Sequence, residues 1–347
     1  MAVRVGINGF GRIGRQVFKA IREKYADELE IVAINDLTDD EMLAYLLKYD
    51  SIYGRYPGSV QAKDGKLIVS DEAGTIEVES ITQDPKNPKS PNELEWDKRG
   101  VDIVLESTGV FREVEKAAGH LEAGAKKVII SAPARGECKT VVLGVNHEEY
   151  DPAKDHVVSN ASCTTNCLAP VCKVINDNWK IERGFMTTIH SYTNDQRLLD
   201  LPHKDPYRAR AAALNIIPTT TGAASAIHLV IPDLKGKMDG IALRVPTPTG
   251  SIIDLVCTVE NPPANAEEVN EAFKAAASEG PLAPYMDYVE DPIVLTDIVA
   301  CPASAVFVPD QTKVIGNLIK VLAWYDNEWG YSNRTADLMK YMADKGI

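Results

Sequence analysis

The 347-residue chain is 45% hydrophobic and 25% charged, which is typical of a globular protein, and its length suggests roughly two domains. Its formal net charge of -13 argues against binding to nucleic acid or to an anionic membrane surface, because both are negatively charged. No apolar run reaches the roughly 20 residues of a membrane span, and no signal-peptide pattern opens the chain. We therefore expect a cytoplasmic protein with no nucleic-acid or membrane partner.

The six cysteines show neither a disulfide framework nor a metal-binding pattern. A chain of this length without a secretory signal is not expected to rely on disulfides. The sequence contains no CxxC pair, which is the usual signature of structural zinc. We expect no metal site.

The N-terminal half alternates strand and helix patterns. Val3–Asn8 is predicted to be a buried strand, apolar residues from Ile13 to Ile21 recur at helical spacing, and Glu30–Asn35 is predicted to be a second strand. This alternation predicts a parallel, doubly wound α/β sheet of the Rossmann type. The remaining predicted elements are a loop at Asp84–Asn92, a strand at Asp102–Glu106, a helix around Arg112–Gly124 and a strand at Lys127–Ser131.

A glycine-rich turn follows the first predicted strand and precedes the first predicted helix. Its residues match the G-x-G-x-x-G pattern, in which glycines let a pyrophosphate approach the N–H groups of a helix N-terminus. Asp36 closes the second strand about 20 residues further on, where a carboxylate binds ribose hydroxyls and repels a 2′-phosphate. The sequence therefore predicts NAD binding by Asp36 and by the turn residues Gly9, Gly11, Arg12, Ile13 and Gly14.

Cys163 is the candidate nucleophile. It lies between the predicted strand His156–Val158 and apolar residues from Leu168 to Ile175 that recur at helical spacing. A cysteine at a helix N-terminus has a lowered pKa, because the helix dipole favours the thiolate. We therefore expect Cys163 to be nucleophilic at neutral pH.

His190 is the candidate proton carrier beside that cysteine. It follows the predicted strand Phe185–Ile189 and opens a polar loop, and a histidine can both stabilise a thiolate and exchange a proton with a reacting oxygen. The sequence has six histidines and leaves open which of them approaches Cys163. Threonines at 219–221 and the arginines Arg208, Arg210 and Arg244 suit the oxyanions of a phosphorylated substrate.

Longer strands dominate the second half. With the helix Ala266–Ser278, the strands predict an α+β catalytic domain built on a largely antiparallel sheet. We expect an NAD-binding domain at 1–161, a catalytic domain at 162–327 and a C-terminal helix at 328–347 that packs back on the NAD-binding domain. The predicted strands are Gly184–His190, Gly240–Val245 and Ser251–Glu260.

Six ordered motifs together resemble one enzyme family over nearly the whole chain. They are Asn8–Arg15, Glu106–Phe111, Ser162–Cys167, Thr219–Ala224, Arg244–Thr247 and Trp324–Ser332. With these motifs the chain resembles the NAD-dependent, phosphorylating glyceraldehyde-3-phosphate dehydrogenases. The resemblance implies oxidation of D-glyceraldehyde 3-phosphate to 1,3-bisphosphoglycerate with NAD and inorganic phosphate, in glycolysis or gluconeogenesis.

The same resemblance implies roles for individual residues. Cys163 forms a hemithioacetal and then a thioester, and His190 takes the hydroxyl proton. The substrate's own phosphate binds at Thr193 and Arg244, and Asn327 orients the nicotinamide carboxamide. Inorganic phosphate is surrounded by Ser162, Thr164, Arg208, Thr221 and Gly222, and Gln83 and Ser131 join the cofactor contacts.

The resemblance further implies a homotetramer, in which the segment Asp195–Arg210 packs across a subunit interface. The chain departs from the family pattern at four places, which include Tyr207 in place of a frequent arginine and Ser225 where lysine is common. Gln83 stands where many members have arginine, which leaves open whether its side chain or its backbone contacts adenine. The stretch Thr296–Pro309 is atypical, and we expect this to alter packing rather than chemistry.

Two alternative functions remain. A sister dehydrogenase acts on erythrose 4-phosphate, but Thr193 and Thr221–Ala224 fit the glyceraldehyde type better. A redox-sensing binding protein would use Cys163 as an oxidisable thiol. The presence of both Cys163 and His190 favours the enzyme.

Overall fold

The computed structural model describes residues 2–347. It contains two compact units. The first comprises the residues up to Val141, then Glu149–Ala161 and Ser332–Ile347, and the second comprises Val142–Glu148 and Ser162–Tyr331. Among the residues described, none of the helices combines the length and the apolar character that crossing a bilayer requires.

The first unit is built on a nine-stranded sheet in the order β10-β11-β9-β8-β1-β2-β7-β6-β5. Its strands and the small pair β3 and β4 are β1 Val3–Asn8, β2 Leu29–Asp36, β3 Tyr49–Asp50, β4 Gly54–Arg55, β5 Ser59–Lys63, β6 Lys66–Asp71, β7 Gly74–Thr82, β8 Ile103–Glu106, β9 Lys127–Ile130, β10 Lys139–Thr140 and β11 Val157–Ser159. The helices that begin in this half of the sequence are α1 Arg12–Lys24, α2 Asp40–Lys48, α3 Val114–Ala117 and α4 Gly119–Glu122.

The strands from β10 to β7 in this order pair in parallel, which confirms the predicted α/β class. The sequence did not predict the antiparallel arm β7-β6-β5 at one edge. The predicted helix around Arg112–Gly124 is wrong in extent, since α3 and α4 are short. Arg112 and Val114 form backbone hydrogen bonds with Arg135 instead of opening a helix.

The helix α1 packs as its periodicity predicts. Val17, Ala20 and Ile21 are fully buried, and burying side chains of this kind supplies most of the stability of a surface helix. The C-terminal helix α7, Trp329–Lys345, lies against α1 within the first unit through a charged contact. Lys24 Nζ lies 2.8 Å from Asp337 Oδ1, and Tyr25 donates a 2.6 Å hydrogen bond to the same oxygen.

The second unit is built on an eight-stranded sheet in the order β13-β14-β12-β15-β19-β17-β16, with β18 paired to β19. Most neighbours are antiparallel, which confirms the predicted α+β class, while β12 with β14 and β16 with β17 are parallel. The elements are α5 Cys163–Trp179, β12 Ile181–Ser191, β13 Ile217–Thr220, β14 Met238–Val245, β15 Ser251–Val259, α6 Ala266–Ser278, β16 Met286–Tyr288, β17 Ala305–Phe307, β18 Lys313–Ile315 and β19 Leu318–Tyr325.

The atypical stretch at 296–309 contributes to the core of the second unit. Ile298, Ala303 and Val306 form a buried cluster against which Trp324 packs. Ala300 adopts a left-handed conformation with φ 64° and donates its N–H to the Asp326 carboxylate at 2.9 Å. The unusual residues therefore take part in packing at this end of the sheet.

Asp50 is a buried carboxylate that anchors the segment after α2. Its side chain is inaccessible to solvent and lies 2.9 Å from Arg12 Nη1. Burial alone raises its pKa, but hydrogen bonds from the N–H groups of Ile52 and Tyr53 and the charge of Arg12 outweigh burial and lower the pKa to about 2. The ionised form therefore stabilises the folded state.

We predict that Asp50→Asn lowers the free energy of unfolding by about 2 kcal/mol at pH 7, since the folded pKa lies nearly two units below the unfolded value of about 3.9. This contribution is complete above the unfolded pKa and disappears as the pH falls through the folded one. The difference between variant and unmodified protein should therefore shrink as the pH falls from about 4 to about 2. Urea unfolding, followed by circular dichroism, measures the free energy of unfolding of each protein. The variant Glu72→Gln, which removes an exposed carboxylate, is the control. A difference that does not change with pH contradicts the assignment.

Candidate active site

The glycine turn lies between β1 and α1, at the edge of the sheet where parallel strands end and nucleotides bind in such folds. Gly9 has φ +92°, and a Cβ there would lie 2.6 Å from the backbone nitrogen of Thr108. A Cβ on Gly14 would lie 2.2 Å from the carbonyl oxygen of Gly9. A Cβ on Gly11 would meet nothing within 4 Å. Two glycines are therefore required by packing, whereas the third borders open space.

The N-terminus of α1 fits a bound pyrophosphate. Gly11 is the N-cap and supplies no side-chain cap, and the N–H groups of a first helical turn have no acceptor within the helix. These donors and the positive end of the helix dipole suit an anion. Arg12 and Ile13 begin the helix, and Arg12 is held by its 2.9 Å contact with Asp50.

Asp36 is fixed beside this turn. Its Oδ2 accepts a 2.7 Å hydrogen bond from the N–H of Phe10, and its Oδ1 accepts one of 2.7 Å from the N–H of Leu37. An ionised carboxylate has about four acceptor sites, so lone pairs remain for the two hydroxyls of a ribose. The placement fits the role predicted for Asp36.

Gln83 is engaged by the protein itself. Its Nε2 donates to Asn35 Oδ1 at 2.5 Å, and its Oε1 accepts from the N–H of Lys89 at 2.6 Å. Asn35 continues the chain of hydrogen bonds to Asn8, and Asn8 donates to Glu106 Oε2 at 2.6 Å. The Gln83 side chain is thus already used in this buried network, and its backbone N–H donates to the carbonyl oxygen of Asp36 at 3.1 Å.

The sequence did not predict the other end of this hydrogen-bond network. His120 is fully buried, its Nδ1 accepts a 2.9 Å hydrogen bond from Trp96 Nε1, and its Nε2 therefore donates to Glu106 at 2.9 Å. Glu106 also accepts from Thr108, and Ser131 donates to the Glu106 carbonyl oxygen. The network ties together the strand ends beneath the glycine turn. The sequence signal for this network was the position of Asn8 and Asn35, each of which is the last residue of a predicted strand.

In the second unit, Cys163 is the first residue of α5. The helix is capped by Ser162, whose Oγ accepts the N–H of Thr165 at 3.0 Å. Cys163 Sγ lies 3.5 Å from His190 Nε2, on the strand β12. The structure thus brings together the cysteine and the histidine that the sequence proposed.

Arg244 lies beside His190 because β12 and β14 pair in parallel with these two residues in register. Arg244 Nη1 is 2.5 Å from His190 Nδ1 and donates to the carbonyl oxygen of Ser191 at 3.0 Å. His190 Nδ1 also lies 2.7 Å from that carbonyl. Burial and the Arg244 charge lower the pKa of His190 to about 3, so the imidazole is neutral near pH 7.

The predicted lowering of the Cys163 pKa is wrong for this site. Burial of the thiol raises its pKa, and the opposing effects of the Arg244 charge and of hydrogen bonds from Thr164 are smaller. The sequence prediction included the helix dipole but not desolvation. The arrangement is therefore a thiol beside a neutral imidazole.

Thr164, predicted to bind inorganic phosphate, is positioned by a residue that sequence reasoning missed. Its Oγ1 lies 2.9 Å from the hydroxyl of Tyr325, which lies 2.8 Å from Thr188 Oγ1. Tyr325 lies in one of the family motifs, but no role was predicted for it. Its buried hydroxyl links the start of α5 to β12.

The other predicted phosphate residues also lie in the second unit. Arg208 contacts Asp195 and donates to Thr219 Oγ1 at 2.9 Å. Gly222 borders open space, since a Cβ there would meet nothing within 4 Å. The charges of Arg208 and Asp195 both influence the pKa of Arg244, which burial lowers. Thr221 Oγ1 accepts the N–H of Ala223 at 3.2 Å, and Thr193 donates its N–H to Gln196 at 3.3 Å.

Asn327 is buried and held by two serines. Its Oδ1 accepts hydrogen bonds from Ser191 Oγ at 2.9 Å and from Ser251 Oγ at 3.0 Å. Ser251 is opposite His190 in the pairing of β15 with β12. These contacts leave the amide nitrogen of Asn327 as the group available for a ligand, and Ser251 was not predicted.

The fold and the site together are those of a dinucleotide-binding oxidoreductase. Comparison with known proteins gives the family. Residues 3–114 match the family model described as the NAD binding domain of glyceraldehyde 3-phosphate dehydrogenase, and residues 162–327 match its C-terminal domain.

Curated relatives match over the full length. Glyceraldehyde-3-phosphate dehydrogenase 2 of Streptomyces avermitilis is 56% identical, over 99% of this chain and 100% of the relative. Glyceraldehyde-3-phosphate dehydrogenase of Geobacillus stearothermophilus is 55% identical, over 100% of both chains. Glyceraldehyde-3-phosphate dehydrogenase 1 of Bacillus subtilis is also 55% identical, over 100% of both. The chain belongs to the glyceraldehyde-3-phosphate dehydrogenase family.

A pair of glycine variants separates folding from cofactor binding. We predict that Gly14→Ala lowers the free energy of unfolding by about 3 kcal/mol, because its Cβ meets a backbone oxygen. Gly11→Ala should change stability by less than about 1 kcal/mol but weaken NAD binding at least about tenfold, because its methyl group enters the open space. Chemical unfolding and calorimetric titration with NAD measure the two effects. Unchanged NAD affinity in Gly11→Ala contradicts the proposed pyrophosphate position.

Proposed function

We propose that the protein catalyses the NAD-dependent oxidation and phosphorylation of D-glyceraldehyde 3-phosphate to 1,3-bisphosphoglycerate. The observation that carries this proposal is the 3.5 Å approach of Cys163 Sγ to His190 Nε2 at the start of α5, in a chain of this family. Bound NAD supplies the acceptor for the hydride that leaves the substrate carbon.

Cys163 is the proposed nucleophile. Its sulfur forms a bond to the aldehyde carbon, and the thiol proton ends on the former carbonyl oxygen of the hemithioacetal. His190 Nε2 then takes that hydroxyl proton as the carbon loses its hydride and the C=O bond forms again, leaving a thioester on Cys163. An oxygen of inorganic phosphate then forms a bond to the thioester carbon and displaces the sulfur of Cys163. The proton held at Nε2 returns to that sulfur, which restores the thiol.

The state of His190 supports its role as the base. An imidazole with a pKa of about 3 is neutral at pH 7 and has an unprotonated nitrogen to offer. A proton on Nδ1, which the carbonyl oxygen of Ser191 favours and the N–H of Arg244 opposes, leaves Nε2 facing Cys163 without a proton. His190 is only 3% exposed, which limits the access of water that would hydrolyse the thioester.

The phosphate groups are assigned to two sets of residues. We place the substrate's own phosphate at Thr193 and Arg244, and inorganic phosphate at the remaining predicted residues. Arg244 supports this, because its Nε is buried and has no hydrogen-bond partner within residues 2–347. The residues proposed for inorganic phosphate are Ser162, Thr164, Arg208, Thr221 and Gly222.

Cofactor binding is assigned in the same way. The glycine turn and Asp36 hold the adenosine and pyrophosphate portions, and Asn327 donates its amide N–H to the nicotinamide carboxamide. We retain the domain limits 1–161, 162–327 and 328–347 as part of this proposal. A cytoplasmic location stays a prediction from the sequence.

We also propose a homotetramer. Exposed leucines along the segment Asp195–Arg210 support it, since Leu198 and Leu199 are 75% and 67% exposed. Phe185, 72% exposed on β12, adds to the apolar surface of the second unit. Apolar side chains grouped in this way usually mark a protein interface. Sedimentation equilibrium tests the proposal by asking whether the mass in solution is four times that of the 37.9 kDa chain.

The proposed activity predicts a phosphate-dependent rise in absorbance from reduced nicotinamide when the protein is mixed with NAD, inorganic phosphate and D-glyceraldehyde 3-phosphate. Cys163→Ser should reduce the rate at least about a thousandfold, and His190→Asn by about a hundred- to ten-thousandfold. The half-buried Cys138→Ser is the control and should stay active.

The same assay with erythrose 4-phosphate and with NADP compares the rival substrates. We expect D-glyceraldehyde 3-phosphate and NAD to give the highest kcat/KM. The proposal is wrong if the unmodified protein gives no phosphate-dependent signal, or if Cys163→Ser retains full activity.

A further inference from the structure

Arg208, assigned above to inorganic phosphate, has a protein acceptor at each of its three guanidinium nitrogens. Its Nη1 donates to the carboxylate of Asp195, its Nε donates to Thr219 Oγ1 at 2.9 Å, and its Nη2 lies 3.4 Å from the carbonyl oxygen of Thr220. Asp205 Oδ2 lies 3.4 Å from the same Nε. A phosphate oxygen that approaches Nη1 therefore meets a nitrogen that already donates to the Asp195 carboxylate and competes with it.

The two carboxylates differ in how firmly they are held. Asp205 accepts a 3.0 Å hydrogen bond from Thr219 Oγ1 and a 2.9 Å hydrogen bond from the N–H of Tyr207. Asp195 accepts a hydrogen bond from Arg208 Nη1, and His203 Nε2 lies 3.7 Å from Asp195 Oδ1. The side chain of Asp195 is 47% exposed, against 26% for Asp205. Asp195 is therefore the partner that can leave Arg208 for solvent.

Charge makes this exchange important for affinity. Two carboxylates, Asp195 and Asp205, lie against the guanidinium of Arg208, and Lys204 and His203 also interact with Asp195. A phosphate dianion near both carboxylates is disfavoured unless Asp195 moves away. The phosphate also has to break a charge-assisted hydrogen bond before it can form its own.

We propose that Asp195 acts as a built-in competitor for the phosphate group, occupying Arg208 until a phosphate oxygen displaces it. This inference rests on the proposed function. Asp195 weakens the binding of inorganic phosphate and, by the same contact, speeds the departure of a phosphorylated product. It is a residue that sets affinity through Arg208 and does not itself touch the reacting carbon.

The variant Asp195→Asn tests this, because the amide keeps the shape and removes the charge. We expect the KM for inorganic phosphate to fall about three- to tenfold, which is the range for the loss of one partly exposed charge pair. The value of kcat should stay the same or fall, because product leaves more slowly. Asp195→Glu should restore a KM close to that of the unmodified protein.

Asp200→Asn is the matched control. Asp200 belongs to the same segment and pairs with Arg210 at 3.0 Å, but Arg210 has no assigned phosphate. Its replacement should leave the KM for phosphate unchanged. If Asp200→Asn lowers that KM as much as Asp195→Asn does, the effect comes from loosening the segment and the proposal is wrong.

A binding measurement does not depend on turnover. Thermal unfolding of each variant is followed with increasing inorganic phosphate, with chloride at equal ionic strength as reference. Asp195→Asn should be stabilised at about three- to tenfold lower phosphate concentrations than the unmodified protein. Asp195→Ser provides a second neutral variant if the first folds poorly, and both should shift in the same direction.

The KM for inorganic phosphate and the KM for the phosphorylated aldehyde, measured for each variant, identify which phosphate is affected. A lower KM for inorganic phosphate with an unchanged KM for the phosphorylated aldehyde supports competition at Arg208. A change confined to the aldehyde, or an unchanged or higher KM for phosphate in a folded variant, overturns it. Failure of the proposed function gives a different result, since the unmodified protein would then be inactive.

Discussion

The parallel pairing of β12 with β14 is the constraint on which the catalytic site depends. It sets His190 and Arg244 side by side, and the antiparallel pairing of β12 with β15 sets Ser251 opposite His190. Cys163 then reaches the imidazole because α5 begins where it can approach this strand. The sheet register thus determines the charge next to the base. That charge and burial keep the imidazole neutral, which is the form that proton transfer requires.

A comparable constraint operates in the first unit, where strand ends create a binding surface for a dinucleotide. Gly9 and Gly14 are needed because backbone atoms lie where a side chain would be. Beneath them a continuous set of buried hydrogen bonds runs from Trp96 through His120 and Glu106 to Asn8. Such a network is favourable only when each member is satisfied, and it therefore holds the turn in one conformation. The polar side chains of this network thus hold the backbone of the glycine turn in place, and the proposed dinucleotide binds to that backbone.

Much of this could be predicted from the sequence because it depends on local pattern. The glycine turn, the start of α5 at Cys163 and the helix Ala266–Ser278 follow from spacing and capping, and the structure confirms those elements. The pKa of Cys163 could not be predicted, because its burial results from residues distant in sequence. The contact of Asp195 with Arg208 likewise depends on how a long segment folds on itself. The antiparallel arm was missed although its strands β5, β6 and β7 are 5, 6 and 9 residues long.

The central claim is that Cys163 carries the oxidised substrate as a thioester until phosphate removes it. Mass spectrometry of the intact protein and of its peptides tests this most directly, after mixing with NAD and D-glyceraldehyde 3-phosphate in buffer free of phosphate. The account predicts a 3-phosphoglyceryl group on Cys163 that disappears when inorganic phosphate is added. An unmodified Cys163, or an acyl group found on a different cysteine, would contradict it.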